Sequence, residues 1–105
     1  MASNHIRFNN QDYTQRESEI ACALSIYLRM SDETISMILG FGRSRIGGPP
    51  IPCAGLVSFL RGRDHAFYRR VYNNRAYWEP EANRTYLEWM GAVSQTVRRY
   101  GANDP

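Results

Sequence analysis

Six residues constrain this chain more than any others. Gly47-Gly48-Pro49-Pro50-Ile51-Pro52 stands just before the middle of a 105-residue sequence. Proline inside a helix costs about 3 kcal/mol, and it also disfavours helix at the residue before it. Residues 47–52 are therefore expected as a stiff loop. Any helix that begins at Arg43 is limited to about one turn by the prolines that follow.

Upstream of that loop the pattern is helical. Thr14-Gln15-Arg16-Glu17 fits a capping box, a hydroxyl at the N-cap with a carboxylate three residues on. Ile20, Leu24, Tyr27 and Leu28 follow as one stripe, which predicts a helix from about Gln15 to Arg29. Ser31 is the next N-cap candidate, and Asp32 and Glu33 suit the positive end of a helix dipole. Ile35, Ile38 and Leu39 form a short apolar face, and Gly40 is placed to close this second helix after Leu39.

Downstream, Cys53, Leu56 and Leu60 share one helical face, and Gly62 is placed to end it. Asp64 is positioned to cap a further helix with Phe67 and Val71 inward and Arg69, Arg70 and Arg75 outward. Tyr68 and Tyr72 are additional candidates for its inner face. Asn73-Asn74 reads as a weakening or turn, and Glu79-Pro80 puts a proline at a permitted helix start. Tyr86, Met90, Val93, Val97 and Tyr100 then step by four, three, four and three. Arg98 and Arg99 suit the C-terminal dipole of that helix, and Gly101 its stop. No segment shows sustained strand alternation, and there is no internal repeat. The expected class is all-α, a compact bundle of about five helices. Residues 1–12, polar and Asn-rich, are expected to be flexible; residues 13–101 form a single helical domain, and 102–105 a tail.

Length and composition agree with one globular domain: 43% of residues are hydrophobic and 12% aromatic. No apolar run reaches membrane-spanning length, and the first residues lack the build of a signal peptide. No membrane partner and a cytoplasmic location are the expectation. Cys22 and Cys53 lie 31 residues apart in apolar stretches, as buried thiols rather than a disulfide.

Charge is unevenly placed. All 13 basic residues are arginine. Residues 1–42 carry a net charge of −2, residues 43–75 a net of +6, and residues 76–105 a net of −1. A GC-rich codon bias exchanges lysine for arginine throughout a chain, but it does not cluster it. Arginine makes bidentate contacts to phosphate and guanine and stacks on aromatic rings. A basic block of this kind is the footprint expected of a nucleic-acid face.

Two segments within or beside the block carry resemblances. Tyr13-Thr14, Glu17, Met30-Ser31, Ile35, Leu39-Gly40 and Arg43-Ser44 together resemble the Myb-like and related bacterial helix-turn-helix regulators. The resemblance covers about a third of the chain and implies a helix-turn-helix-like segment whose third element begins at Arg43 and enters the major groove. Gly47-Gly48-Pro49-Pro50 departs from that pattern, because it falls inside the expected reading helix. Leu56-x-x-x-Leu60-Arg61-Gly62-Arg63-Asp64-His65 is similar to a fragment of the DNA-binding domain of the bacterial replication initiator. That similarity implies a base or phosphate contact for Arg63, a cap at Asp64 and a groove contact for His65. Ala66-Phe67 stand here where that family has two threonines.

Arg43, Ser44, Arg45, Arg61, Arg63, His65, Arg69 and Arg70 are the candidate nucleic-acid-binding residues. Phe67, Tyr68, Tyr72, Tyr77 and Trp78, interleaved with them, either stack on unpaired bases or fill the core. Other chemistry is not indicated. His5, His65, Cys22 and Cys53 lack the short spacing of a zinc site. No phosphate-cradling glycine motif and no nucleophile-base set is present, so no cofactor, no metal and no catalytic activity are expected. Two functions remain open. The first is a small transcriptional regulator that binds double-stranded DNA. The second is a non-enzymatic protein-binding modulator: an antiactivator, a transcription-machinery adaptor or a phage-type inhibitor of a nucleic-acid enzyme. Arg, Tyr and Trp also dominate protein interfaces, and a homodimer fits either function.

Overall fold

Thr14 fixes where the first helix begins. In the computed structural model its hydroxyl accepts from the Glu17 backbone N–H at 3.0 Å, and the Glu17 carboxylate accepts from the Thr14 N–H at 2.9 Å. The structure describes residues 4–44 and 48–101, with side chains up to residue 94. Helix α1 runs Gln15–Leu28 and ends on Arg29, which is left-handed at φ 54° and donates its backbone N–H to the Leu24 carbonyl. Then follow α2 (Asp32–Ser44), α3 (Leu56–Gly62), α4 (Ala66–Tyr72) and α5 (Arg75–Gly101). The mainly helical class with five helices is as expected.

Residues 5–14, most of them expected to be flexible, form a hairpin ahead of α1. His5–Phe8 (β1) and Gln11–Thr14 (β2) pair antiparallel, with Ile6 opposite Tyr13 and Phe8 opposite Gln11. Asn9 and Asn10 connect them with φ of 51° and 63°. Two consecutive positive-φ residues form the turn that matches strand twist, and asparagine tolerates that conformation. The Asn-rich composition is thus a turn signal rather than a sign of flexibility. Tyr13 is completely buried, and its hydroxyl donates to the Pro52 carbonyl.

Helix α1 is the centre of the molecule. Ser18 through Leu24 are buried without a break, on every side of the helix. The single stripe expected for it is therefore only part of its buried surface. Helices α4 and α5 cover one side; α2, α3 and the hairpin cover the rest. Cys22 and Cys53 are both buried and free. Burial pushes the Cys22 thiol up to about 12 and the Cys53 thiol up to about 11.

Ser31 caps α2, accepting from the Thr34 backbone N–H at 3.3 Å. Gly40 does not close this helix. It lies within α2, where the Pro-rich loop crosses so near that a Cβ would stand 2.2 Å from the Pro49 carbonyl oxygen. Its missing side chain serves close packing, not a left-handed stop. The loop is held from several directions. Ser36 accepts from the Ile51 N–H at 3.1 Å through its carbonyl and donates its hydroxyl to the Ile51 carbonyl. The Asp32 carboxylate accepts from the Gly55 N–H at 3.1 Å.

Helix α5 begins earlier than expected. Its first turn is closed by Trp78 N–H bonding to the Asn74 carbonyl at 3.0 Å, so Pro80 lies inside the helix rather than at its start. Trp78 and Ala82 bury against α1, with Tyr86 and Trp89 half-buried beside them. Val93, expected inward, is exposed. At 1.5 Å per residue α5 is about 40 Å long, and its outer part extends beyond the core. The Val97, Arg98, Arg99 and Tyr100 side chains and the 102–105 tail lie outside the described residues.

Arg16 and Arg84 both reach Glu81, at 2.7 and 3.0 Å, which ties α1 to α5. Hydrogen bonds first from Arg84 and then from Arg16 hold the Glu81 carboxyl down to about 2. A folded pKa below the unfolded value, about 4.3, contributes stability above the unfolded value. That contribution is lost as pH falls towards 2. Acid titration followed by circular dichroism is expected to show stability falling through this window, with a shallower fall in Glu81→Gln. In urea denaturation, Gly40→Ala is expected to lose about 1–3 kcal/mol by overpacking. Gly42→Ala, with nothing within 4 Å of the added carbon, is expected to gain up to about 1 kcal/mol in helix propensity.

Candidate nucleic-acid interface

The arginines of the basic block divide into those the fold uses and those it leaves outward. Arg43 belongs to the first group. It forms the last turn of α2 with Ser44, and no new helix begins there. Its guanidinium holds Glu17 through Nε at 2.5 Å and Nη2 at 2.9 Å, donates to the Asp12 carbonyl at 2.6 Å, and lies over the Tyr13 ring. Burial pushes the Glu17 carboxyl up, but bonds from Arg43 and Thr14 outweigh it and leave the pKa lowered. Arg43 thus joins α2, α1 and the hairpin. Ser44 turns its hydroxyl back to the Gly40 carbonyl at 3.2 Å. Arg45 lies outside the described residues.

Arg70 is also committed. Its Nε stands 3.4 Å from a carboxylate oxygen of Glu19, and the Glu19 side chain is only 6% exposed. A buried carboxylate without a counter-charge is costly, so Arg70 is drawn to Glu19 although its own side chain stays 54% exposed. Arg75 pairs with Glu79 at 3.0 Å and covers the Tyr27 ring.

The turn from α3 to α4 gathers the second group. Arg61, exposed at the end of α3, makes no ion pair among the described residues. Arg63 caps α3 and lays its guanidinium 4.3 Å from the centroid of Phe59, a ring that itself packs on Phe8. Arg69 folds back from α4 to donate to the Asp64 carbonyl at 3.1 Å, with the Asp64 carboxylate at 3.5 Å. Three arginines thus flank this turn in the chain, with one carboxylate, Asp64, among them.

Asp64 does not cap α4. It is left-handed at φ 49°, and the next residue, His65, takes the N-cap, its Nδ1 accepting from the Phe67 N–H at 3.1 Å. Because that nitrogen is an acceptor, the free ring proton belongs on Nε2. The His65 ring also stands edge-on to Phe67, with centroids 4.6 Å apart. Within the fold its role is local, as the cap of α4.

The interleaved aromatics separate in the same way. Phe67 and Trp78 are core residues. Tyr72 and Tyr77 are outward, 61% and 50% exposed, and Tyr68 is half-buried against Tyr72. Helical phase is the sequence signal that separates Tyr72 from the inner face: Phe67 and Val71 define that face, and Tyr72 lies a further 100° round. Nothing in the sequence indicated that Arg43 would be taken by Glu17, 26 residues away.

A shallow groove of about 210 Å³ lies between α1, α2 and α5, with Ile20, Ile38 and Leu39 among its lining. Arg16, Glu17 and Arg84 on its edge are all engaged in ion pairs. Among the described residues no three His, Cys, Asp or Glu side chains could together hold a metal ion. No helix among them is long and apolar enough to cross a membrane. Comparison with protein-family models, with curated proteins and with solved structures finds no match to this chain.

Arg70→Ala is expected to lower stability by about 1–3 kcal/mol, because it leaves a buried carboxylate unpaired. Adding Glu19→Gln is expected to recover part of that loss, which a double-mutant cycle in urea measures. Arg43→Ala is expected to cost about 1 kcal/mol, its exposed part being screened by solvent.

Proposed function

We propose that this protein binds nucleic acid, and that the contact surface is the α3–α4 corner. The observation that carries the reading is the disposition of arginines: Arg61, Arg63 and Arg69 flank one exposed turn, while Arg43 and Arg70 are held by carboxylates within the fold. Guanidinium groups with little local counter-charge are the natural partners of phosphate oxygens. The similarity of Arg61–His65 to an initiator DNA-binding fragment supports the same corner, since α4 starts directly after those residues. The protein acts by occupying nucleic acid, as a small regulator, and catalyses no reaction.

A second reading has its own support. Leu87 is 65% exposed near the middle of α5, and Val93 is exposed further along. Apolar side chains on a projecting helix suit a protein partner or a second copy, with the chain then acting as a protein-binding modulator.

Fluorescence anisotropy with a labelled duplex pool and a labelled single strand, at about 50 and 200 mM salt, tests the first reading. The wild type is expected to bind at low salt and to weaken by orders of magnitude at high salt. Arg61→Ala/Arg63→Ala is expected to reduce the log–log salt slope by up to about two. Absence of binding to either strand form at low salt, or unchanged binding by the double variant, rejects this reading. Light scattering on Leu87→Glu then decides whether α5 mediates self-association.

A further inference from the structure

We propose that the outer face of α4 stacks unpaired bases, so that the nucleic acid taken by this protein is single-stranded or locally unpaired. The inference rests on the α3–α4 corner being the phosphate contact. It adds which form of strand that corner serves.

Tyr68 and Tyr72 are one helical turn apart, and their rings are stacked, with centroids 6.0 Å apart and planes inclined by 21°. Tyr68 is half-buried and backs the pair, whereas Tyr72 is 61% exposed. Most of the Tyr72 side chain is thus open to solvent while its ring is stacked on Tyr68. Its backbone is firmly placed: the Tyr27 hydroxyl donates to the Val71 carbonyl at 2.7 Å and reaches the Tyr72 carbonyl at 3.2 Å. Val71, next to it, is fully buried. The platform therefore needs no ordering when a base arrives.

Charge is set beside it. Arg69 follows Tyr68 about 100° further round the helix, and its guanidinium is directed to the head of α4, at Asp64. At 1.5 Å per residue, α4 rises about 9 Å from Ala66 to Tyr72, so the platform lies within a short stretch of strand from the charged turn. Beyond Tyr72 the surface continues through exposed Asn73 and Asn74 to Tyr77. Cations at one end, a ring platform along the helix and exposed amides at the other form the composition that tracks a backbone and holds its bases. In a duplex the bases are already stacked and paired, so an outward tyrosine meets only their sugar-phosphate wall. A protruding tyrosine favours a strand whose bases are free.

The test compares a labelled oligothymidine with a duplex of equal length at one low salt concentration. Proteins are the wild type, Tyr72→Ala, Tyr72→Trp and Arg61→Ala/Arg63→Ala, each checked for native helicity by circular dichroism. The single strand is expected to bind more tightly than the duplex. Tyr72→Ala is expected to lose about five- to a hundredfold on the single strand and to leave duplex binding unchanged. Tyr72→Trp is expected to retain single-strand affinity. The stacking proposal is overturned if the duplex binds as tightly as the single strand, or if Tyr72→Ala binds oligothymidine like the wild type. In that event, continued loss of binding in the arginine variant leaves the phosphate-contact reading standing. Lack of binding to either probe by the wild type overturns both.

Discussion

Burial of α1 on all sides is the constraint around which this molecule is arranged. A helix surrounded by neighbours cannot be amphipathic in the ordinary sense, and it needs small side chains where those neighbours come close. Ser18, Ala21, Cys22 and Ala23 supply them, while Ile20 and Leu24 fill the remaining space. Polar groups in this position have to be answered from outside the helix. Glu19 is met by Arg70 of α4 and Gln15 of its own helix, whereas the buried hydroxyl of Ser18 has no hydrogen-bond partner among the described residues. Each of the other elements has only to cover one side of α1. Seven-residue α3 and α4 suffice for this when joined by a tight turn.

That arrangement governs what the arginines can do. A positive block in sequence is not a positive face in space, because carboxylates from elsewhere in the chain claim part of it. Glu17 and Glu19, two residues apart on α1, draw in Arg43 and Arg70 respectively. Their side chains act as struts between layers, and the surface charge that remains is concentrated at the α3–α4 turn. The proposed interface is thus a residue of the folding problem: it is made of the cations that α1 did not require.

Local signals in the sequence were readable where the physics is local. The Thr14–Glu17 box, the Ser31 cap and the helical runs around Ile20, Leu56 and Val71 all depend on atoms a few residues apart, and each appears in the structure. The hairpin was obscured because its strands are four residues each and its turn is Asn-Asn, a pair whose composition resembles that of a loose segment. Gly40 carried a true packing signal that was assigned to the wrong cause, since only the tertiary fold brings Pro49 onto it. Pro80 was misplaced for a related reason. Trp78 and Ala82 pack on α1, and their burial offsets the backbone bond that proline removes. Among the candidate site residues, Arg61, Arg63 and Arg69 remain outward; the roles of Arg43, Arg70 and His65 depend on partners or caps that spacing alone did not reveal.

The contact between Arg16 and Glu81 joins residues 65 apart in the chain. A ribosome adding about 5–20 residues per second takes about 3–13 seconds to cover that distance. Throughout that interval α1 has been made and the helix that covers one of its sides has not. Ile20, Leu24 and their neighbours are then open to whatever else is near. Birth order, and not only final stability, therefore sets a hazard for this chain: its most completely buried helix is made well before the helix that closes one of its sides.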